Sequence, residues 1–212
     1  MILIGQFDSP FVRRVAIALR LYGIPFEHRP WSVFGDAEKI AQYNPLMRVP
    51  TLVLDDGEVL IESAAILDAL DQRAPPGKAM MPLSGDLRRQ ALQVCALATG
   101  LADKAVSLGY ERHVHRRETV MWVERCLSQI AGVLSELEAS RSKQKTEWWF
   151  GSNIGHADIV VGTALRFLGD AHAGLFDLSE GWPLLAAHAA KCESLPAFQE
   201  IQQPFSVAPA KS

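Results

Sequence analysis

Hydrophobic and polar residues follow two different rhythms along this chain. Up to about residue 73, short apolar runs rich in β-formers alternate with stretches of helical spacing. The pattern predicts strands at residues 2–7, 26–31, 51–54 and 59–61, and helices at 10–22, 37–43 and 63–72. The last two strands flank Asp55-Asp56-Gly57-Glu58, in which the Asp-Gly pair is a strong hairpin signal. The order β-α-β-α-β-β-α predicts a small mixed sheet covered by helices. Pro75-Pro76-Gly77 then breaks the rhythm. Beyond it apolar residues recur only at helical spacing, as in Leu127, Ile130, Leu134 and Leu137. Helices are predicted at 86–110, 116–139, 157–168, 182–192 and 196–202, with no strand among them. The reading is an α/β domain at 1–75, a linker at 76–84 and an all-α domain at 85–212, with no internal repeat.

Composition narrows the function classes. A 49% hydrophobic and 21% charged chain has enough apolar material for a sizeable core. The formal net charge of -3 offers no broad basic surface for a phosphate backbone, so no nucleic-acid partner is expected. The densest basic stretch, 112–117, reads as a solvated helix face or a helix connection. Cys95, Cys126 and Cys192 are far apart and form no C-x-x-C pair, which argues against disulfides and zinc and for small apolar side chains. His113 and His115 are two apart and no H-E-x-x-H occurs, so no metal is expected. The N-terminal apolar run has no basic leader, and no stretch approaches the roughly 20 apolar residues of a membrane span. The expectation is a cytoplasmic protein without a membrane partner, its tail at 206–212 lacking fixed structure.

Three places carry candidate chemistry. Ser9-Pro10 stands between the first strand and first helix, with Ser9 at the cap and Pro10 at the first helical position. Such an end presents free N–H groups and the positive pole of the helix dipole beside a hydroxyl, which suits an anion. In Asn44-Pro45-Leu46-Met47-Arg48-Val49-Pro50-Thr51, a proline directly precedes a strand. If Val49-Pro50 is cis, Val49 exposes its backbone N–H and C=O to an extended peptide. Glu62-Ser63 precedes the third helix, where a carboxylate and a hydroxyl beside helix-terminal amides suit a free α-amino-acid group. Taken singly, Ser9 and Ser63 read equally well as plain helix caps.

Together these residues give a chain that resembles the glutathione S-transferase family over nearly its full length. The resemblance implies a thioredoxin-like N-terminal domain, an all-helical C-terminal domain and a homodimer. It implies that Ser9 faces the glutathione sulfur, that Val49 before a cis Pro50 pairs with the cysteinyl backbone, and that Glu62 and Ser63 hold the γ-glutamyl end. Arg48 is similar in position to a polar residue that contacts the glutathione backbone. The reaction implied is thiolate attack on a small hydrophobic electrophile, as in detoxification, with glutathione as co-substrate and no further cofactor. The helical domain shapes the second-substrate site, for which Phe11, Phe34, Leu108 and Tyr110 are candidates. Gly155-His156-Ala157-Asp158 is similar to the family's helix-capping segment, with Gly155 in place of the hydroxyl residue, which gives Asp158 a structural role. Met47 stands where many relatives have glycine. Ser9-Pro10-Phe11-Val12 lacks both cysteines of a dithiol motif, which excludes dithiol exchange there. A glutathione-dependent isomerase or peroxidase, or a non-catalytic binder on the same scaffold, remains open at this level.

Overall fold

A computed structural model describes residues 1–75, 77–116 and 119–206. The residues 207–212 of the expected tail, and Pro76 of the linker, lie outside the described residues. The chain divides into two compact units. The first runs from Met1 to Met81 and also contains the described residues from Leu195 on. The second runs from Pro82 to Ser194. The sequence reading gave 195–206 to the helical domain; in the structure its apolar anchors Phe198 and Ile201, 0% and 3% exposed, belong to the first unit.

The first unit holds a four-stranded sheet in the order β2-β1-β3-β4. Its strands are β1 (Ile2–Ile4), β2 (Glu27–Arg29), β3 (Thr51–Val53) and β4 (Val59–Ile61). β1 pairs parallel with β2, while β1–β3 and β3–β4 are antiparallel, with Ile4 opposite both Arg29 and Thr51. The expected hairpin is formed: the Leu54 N–H donates to Glu58 O at 2.8 Å, and Gly57 takes φ 89, which its missing Cβ permits. Three helices belong to this unit besides the terminal one: α1 (Pro10–Leu21), α2 (Ala37–Ala41) and α3 (Ser63–Arg73). α1 is buried at nine of its twelve positions, including Arg13 and Arg14. It packs on α3, whose Ile66, Leu67 and Leu70 are buried.

The second unit is helical: α4 (Gly85–Gly109), α5 (Val120–Ser142), α6 (His156–Ala171), α7 (Leu178–Gly181) and α8 (Pro183–Glu193). Among its described residues the one β-type pairing is the isolated Trp148–Gly151 bridge. α6 is its central helix, buried at twelve of sixteen positions and packed against α4 and α8. α4 continues into a π-helical turn at Tyr110–Val114. The stretch Gly85–Val114 is long and apolar enough to cross a membrane by length and composition. Its buried stripe of Ala91, Val94, Ala98, Leu101, Ala105 and Leu108 is that of a core helix packed on α5 and α6. The chain then returns through α9 (Pro196–Glu200) to the first unit.

Candidate functional site

The site grows from the C-terminal end of β1. The chain leaves the sheet at Gly5, whose φ of 129 belongs to a region that L side chains avoid. A Cβ at this position would lie 2.5 Å from Val12 Cγ2 and 2.8 Å from Val49 Cβ. Glycine therefore lets the first turn of α1 and the segment before β3 close on one another. The Gly5 N–H donates to Arg29 O at 2.9 Å, and His28 Nε2 lies 2.8 Å from Gly5 O. The His28 ring stacks on Phe7 with centroids 3.8 Å apart.

Ser9 follows at the cap of α1, with φ −70 and ψ 124 and Pro10 beginning the helix. Its Oγ accepts the Val12 N–H at 3.4 Å, a long bond that leaves the hydroxyl proton available to an acceptor outside the helix. Asp8 beside it is partly buried, and that burial pushes its carboxyl above the usual range against the opposing N–H donors of Ser206 and Ser9.

The Val49-Pro50 peptide bond is cis. Val49 rests against the Ile4, Ile40 and Val53 cluster, and among the described residues neither its N–H nor its C=O has a hydrogen-bond partner. Asn44 fixes this segment from below. It is 1% exposed, its Nδ2 donates to Arg48 O at 2.9 Å and Thr51 Oγ1 at 3.2 Å, and its Oδ1 accepts the Leu46 N–H at 3.0 Å. Met47 takes φ 51, the left-handed conformation that glycine adopts without cost.

Glu62 also has a positive φ, 66, with ψ 116. This turn changes one expectation: Glu62 occupies the cap position of α3, its O accepting the Ile66 N–H at 3.0 Å, and Ser63 is the first helical residue. Ser63 is thus not a cap. It is 2% exposed, and its hydroxyl accepts from the Arg14 guanidinium. Arg14 is itself 4% exposed and lies over the Phe11 ring at 5.7 Å. Arg48 and Glu62, both exposed, form an ion pair at 3.3 Å.

The contacts close a circuit within the first unit. Val12 of α1 meets Gly5, Gly5 meets Val49, Arg48 pairs with Glu62, and Ser63 returns to α1 through Arg14. Ser9, Val49, Glu62 and Ser63 are thereby brought around one rim. Two non-glycine residues with positive φ on that rim mark backbone held in a sparsely populated region, which persists where the surroundings over-determine it. The rim offers an extended ligand a main-chain edge, two helix N-termini and a hydroxyl.

Of the four residues expected to line a second-substrate site, Phe11 and Phe34 belong to the first unit and Leu108 and Tyr110 to the second. Phe11 carries the Arg14 cation, and Phe34 is 40% exposed with its N–H on Ser32 Oγ at 3.2 Å. Leu108 is fully buried in the α4 stripe, and Tyr110, 40% exposed, opens the π-helical turn. Asp158 accepts the Trp149 and Gly155 N–H groups, each at 2.8 Å, at the start of α6. Gly155 has no side chain, so only this reciprocal half of a capping box is formed.

Gly5, Arg14 and Asn44 were not singled out from the sequence as parts of the site. Arg14 left a signal: Val12-Arg13-Arg14-Val15 places two adjacent cations inside an apolar helix, and they cannot both reach water.

Comparison with known proteins adds an independent finding. A family model described as glutathione S-transferase, N-terminal domain, matches residues 3–78, and one described as glutathione S-transferase, C-terminal domain, matches residues 120–191. The chain is 28% identical over 211 residues to a maleylacetoacetate isomerase of Pseudomonas aeruginosa, covering 94% of each chain. It is 25% identical to glutathione S-transferase U4 of Arabidopsis thaliana, over 85% of this chain and 72% of that one. A crystal structure of a glutathione S-transferase from Methylobacterium radiotolerans, in complex with glutathione sulfonate, superposes with a TM-score of 0.90 at 27% identity. That match covers 100% of this chain and 98% of the other.

Proposed function

The chain belongs to the glutathione S-transferase family, and we propose on that premise that it binds glutathione along the Ser9–Val49–Glu62–Ser63 rim and holds its sulfur as a thiolate with Ser9. The carrying observation is Ser9 Oγ at the N-terminus of α1, its proton uncommitted, in a unit whose Val49 backbone is unpaired. An antiparallel cysteinyl backbone satisfies both Val49 groups. Ser63 and the opening amides of α3 suit the charged γ-glutamyl end, and Arg48 and Glu62 border the ligand backbone.

The energies suffice. A thiol of pKa near 8.5 is a few per cent ionised at neutral pH, and lowering it by about two units takes about 2.7 kcal/mol. A hydroxyl hydrogen bond to a charged acceptor supplies about 1.5–3 kcal/mol, and a helix N-terminus about 0.3–1 kcal/mol. The thiolate then attacks an electrophilic carbon, forming a C–S bond and expelling the leaving group with the bonding electron pair.

The acceptor we favour is a small hydrophobic electrophile. A second reading, glutathione-dependent isomerisation, uses the same thiolate by reversible addition and is favoured by the full-length similarity to the maleylacetoacetate isomerase. The proposed setting is the cytoplasm, in keeping with three free cysteines, and the proposed assembly is a homodimer.

The test is turnover of glutathione with an aryl halide and with a cis-configured unsaturated diacid. Ser9→Ala should lose about 10- to 100-fold in kcat, the worth of one charged hydrogen bond, while still being retained on immobilised glutathione. A Ser9→Ala protein with parental kcat at neutral pH rejects the role given to Ser9. Turnover of the diacid alone selects isomerisation.

A further inference from the structure

The end of the chain lies against the beginning of the thiol site. After α9, residues 201–206 run back along the first unit and meet α1 and the turn before it. The Arg13 guanidinium, 4% exposed, donates from Nε to Ile201 O at 2.8 Å and from Nη2 to Phe198 O at 3.0 Å. It also lies over the Phe198 ring at 5.5 Å. Arg20, in the last turn of α1, pairs with Glu200. These contacts anchor the segment to the body of α1.

Its last described residues do something different. The Phe7 N–H donates to Gln203 Oε1 at 3.2 Å, across 196 positions of sequence. The Ser206 N–H faces the Asp8 carboxylate, while the Ser9 N–H closes the turn on Gln6 O at 3.2 Å. Phe7 and Asp8 belong to the irregular turn between Gly5 and Ser9, where neither strand nor helix supplies acceptors. A turn of this kind keeps one geometry only as far as its own amides are held. Here the bond from Ser9 to Gln6 closes the turn, and the acceptor for the Phe7 amide comes from the opposite end of the chain.

We propose that the C-terminal segment is a positioning element of the thiol site: Gln203 and the Ser206 amide fix the Phe7-Asp8-Ser9 turn and so aim the Ser9 hydroxyl at the sulfur. The inference deepens the function proposed above and rests on it for its catalytic consequence; the fixing of the turn itself does not. Gln203 touches no reacting atom. Its effect passes through Phe7 to Ser9, and is confined to the sulfur end of the ligand because the residues flanking Val49 are held by Asn44, Glu62 by Arg48 and Ser63 by Arg14.

The test compares full-length Gln203→Leu, which removes the acceptor, with Gln203→Glu, which keeps one, and with Asp8→Ala. Without ligand, hydrogen exchange at the Phe7 amide should quicken about fivefold or more in Gln203→Leu and stay parental in Gln203→Glu, as expected for loss of one hydrogen bond. With glutathione and an aryl halide, Gln203→Leu and Asp8→Ala should lose about fivefold in kcat at pH 6.5. The thiolate absorbance of bound glutathione should titrate about half a unit higher, and KM for glutathione should stay within about twofold. At pH 9 the difference should close, because the thiol ionises without help. Unchanged Phe7 exchange in Gln203→Leu overturns the proposal, as does a loss of kcat equal at both pH values. A parent that binds no glutathione refutes the function proposed above, and the Phe7 exchange then decides by itself whether the segment holds the turn.

Discussion

At the scale of single residues, Arg14 separates binding from activation. Its guanidinium is buried and donates to the Ser63 hydroxyl oxygen, and in the proposed complex the Ser63 proton is given to a ligand carboxylate. Ser9 accepts the Val12 amide, and the proposed function gives its proton to the sulfur. If the two hydroxyls serve opposite ends of the tripeptide, as proposed, they should fail differently. Arg14→Met should raise KM for glutathione about tenfold or more with a small change in kcat, the cost of a lost charged hydrogen bond at a binding group. Steady-state kinetics beside Ser9→Ala measure this, and a fall in kcat at constant KM would contradict it. Arg14→Lys keeps the charge but not the planar fork and should recover only part of the loss. That Ser9 caps α1 was legible, because serine followed by proline at a strand end is a helix-start signal. Gly5 was not, because its function is the absence of a side chain where Val12 and Val49 meet, and that contact joins positions far apart in sequence.

At the scale of elements, boundaries followed backbone geometry that periodicity does not carry. β1 stops at Ile4 and not at residue 7, because Gly5 leaves the extended region. α3 begins at Ser63 under a left-handed Glu62, a conformation that a glutamate gives no sign of adopting. The four-residue α7, capped by Asp177 onto the Ser179 and Glu180 N–H groups, is too short to show a period and was missed. α6 was read more accurately, since an apolar run opened by an acidic residue is a strong start signal. Its energetics are concentrated at Asp158, 1% exposed, which satisfies the Trp149 and Gly155 amides at once. Asp158→Ala leaves both without that acceptor and should cost about 2–4 kcal/mol. Denaturant melts should show it. Residual folded protein should keep the parental KM for glutathione, because the residues proposed to bind it belong to the first unit. A melt within about 0.5 kcal/mol of the parent would mean that the half-box carries little.

At the scale of the whole molecule, the alternation of strands and helices followed by helices alone is a property of the entire hydrophobic pattern, so the fold class survived every local boundary error. The same scale governs response to pH, which depends on groups buried in the second unit. His188, 4% exposed, stands between the Trp148 and Trp149 rings with Nε2 at 3.6 Å from both Asp158 Oδ1 and Cys192 Sγ. Burial, helped by the Arg141 and Lys191 charges, pulls its imidazole down to about 4, so the contact with Asp158 is not an ion pair at neutral pH. An unfolded histidine titrates near 6.5. Between about pH 6.5 and 4 the unfolded chain therefore binds a proton that the folded chain refuses, and stability falls as pH falls through that window. The full difference is about 3 kcal/mol. His172, also lowered by burial, acts in the same direction. Asp158 opposes it: burial raises its carboxyl, so protonation just above the ordinary carboxylate range favours the folded chain and blunts the acid end of the loss. The expected outcome is a stability that declines most steeply between pH 6.5 and 5, read from denaturant melts across that range. His188→Gln should be less stable at pH 7.5 yet lose less between pH 7.5 and 5 than the parent, and parallel losses in the two proteins would remove His188 as the cause.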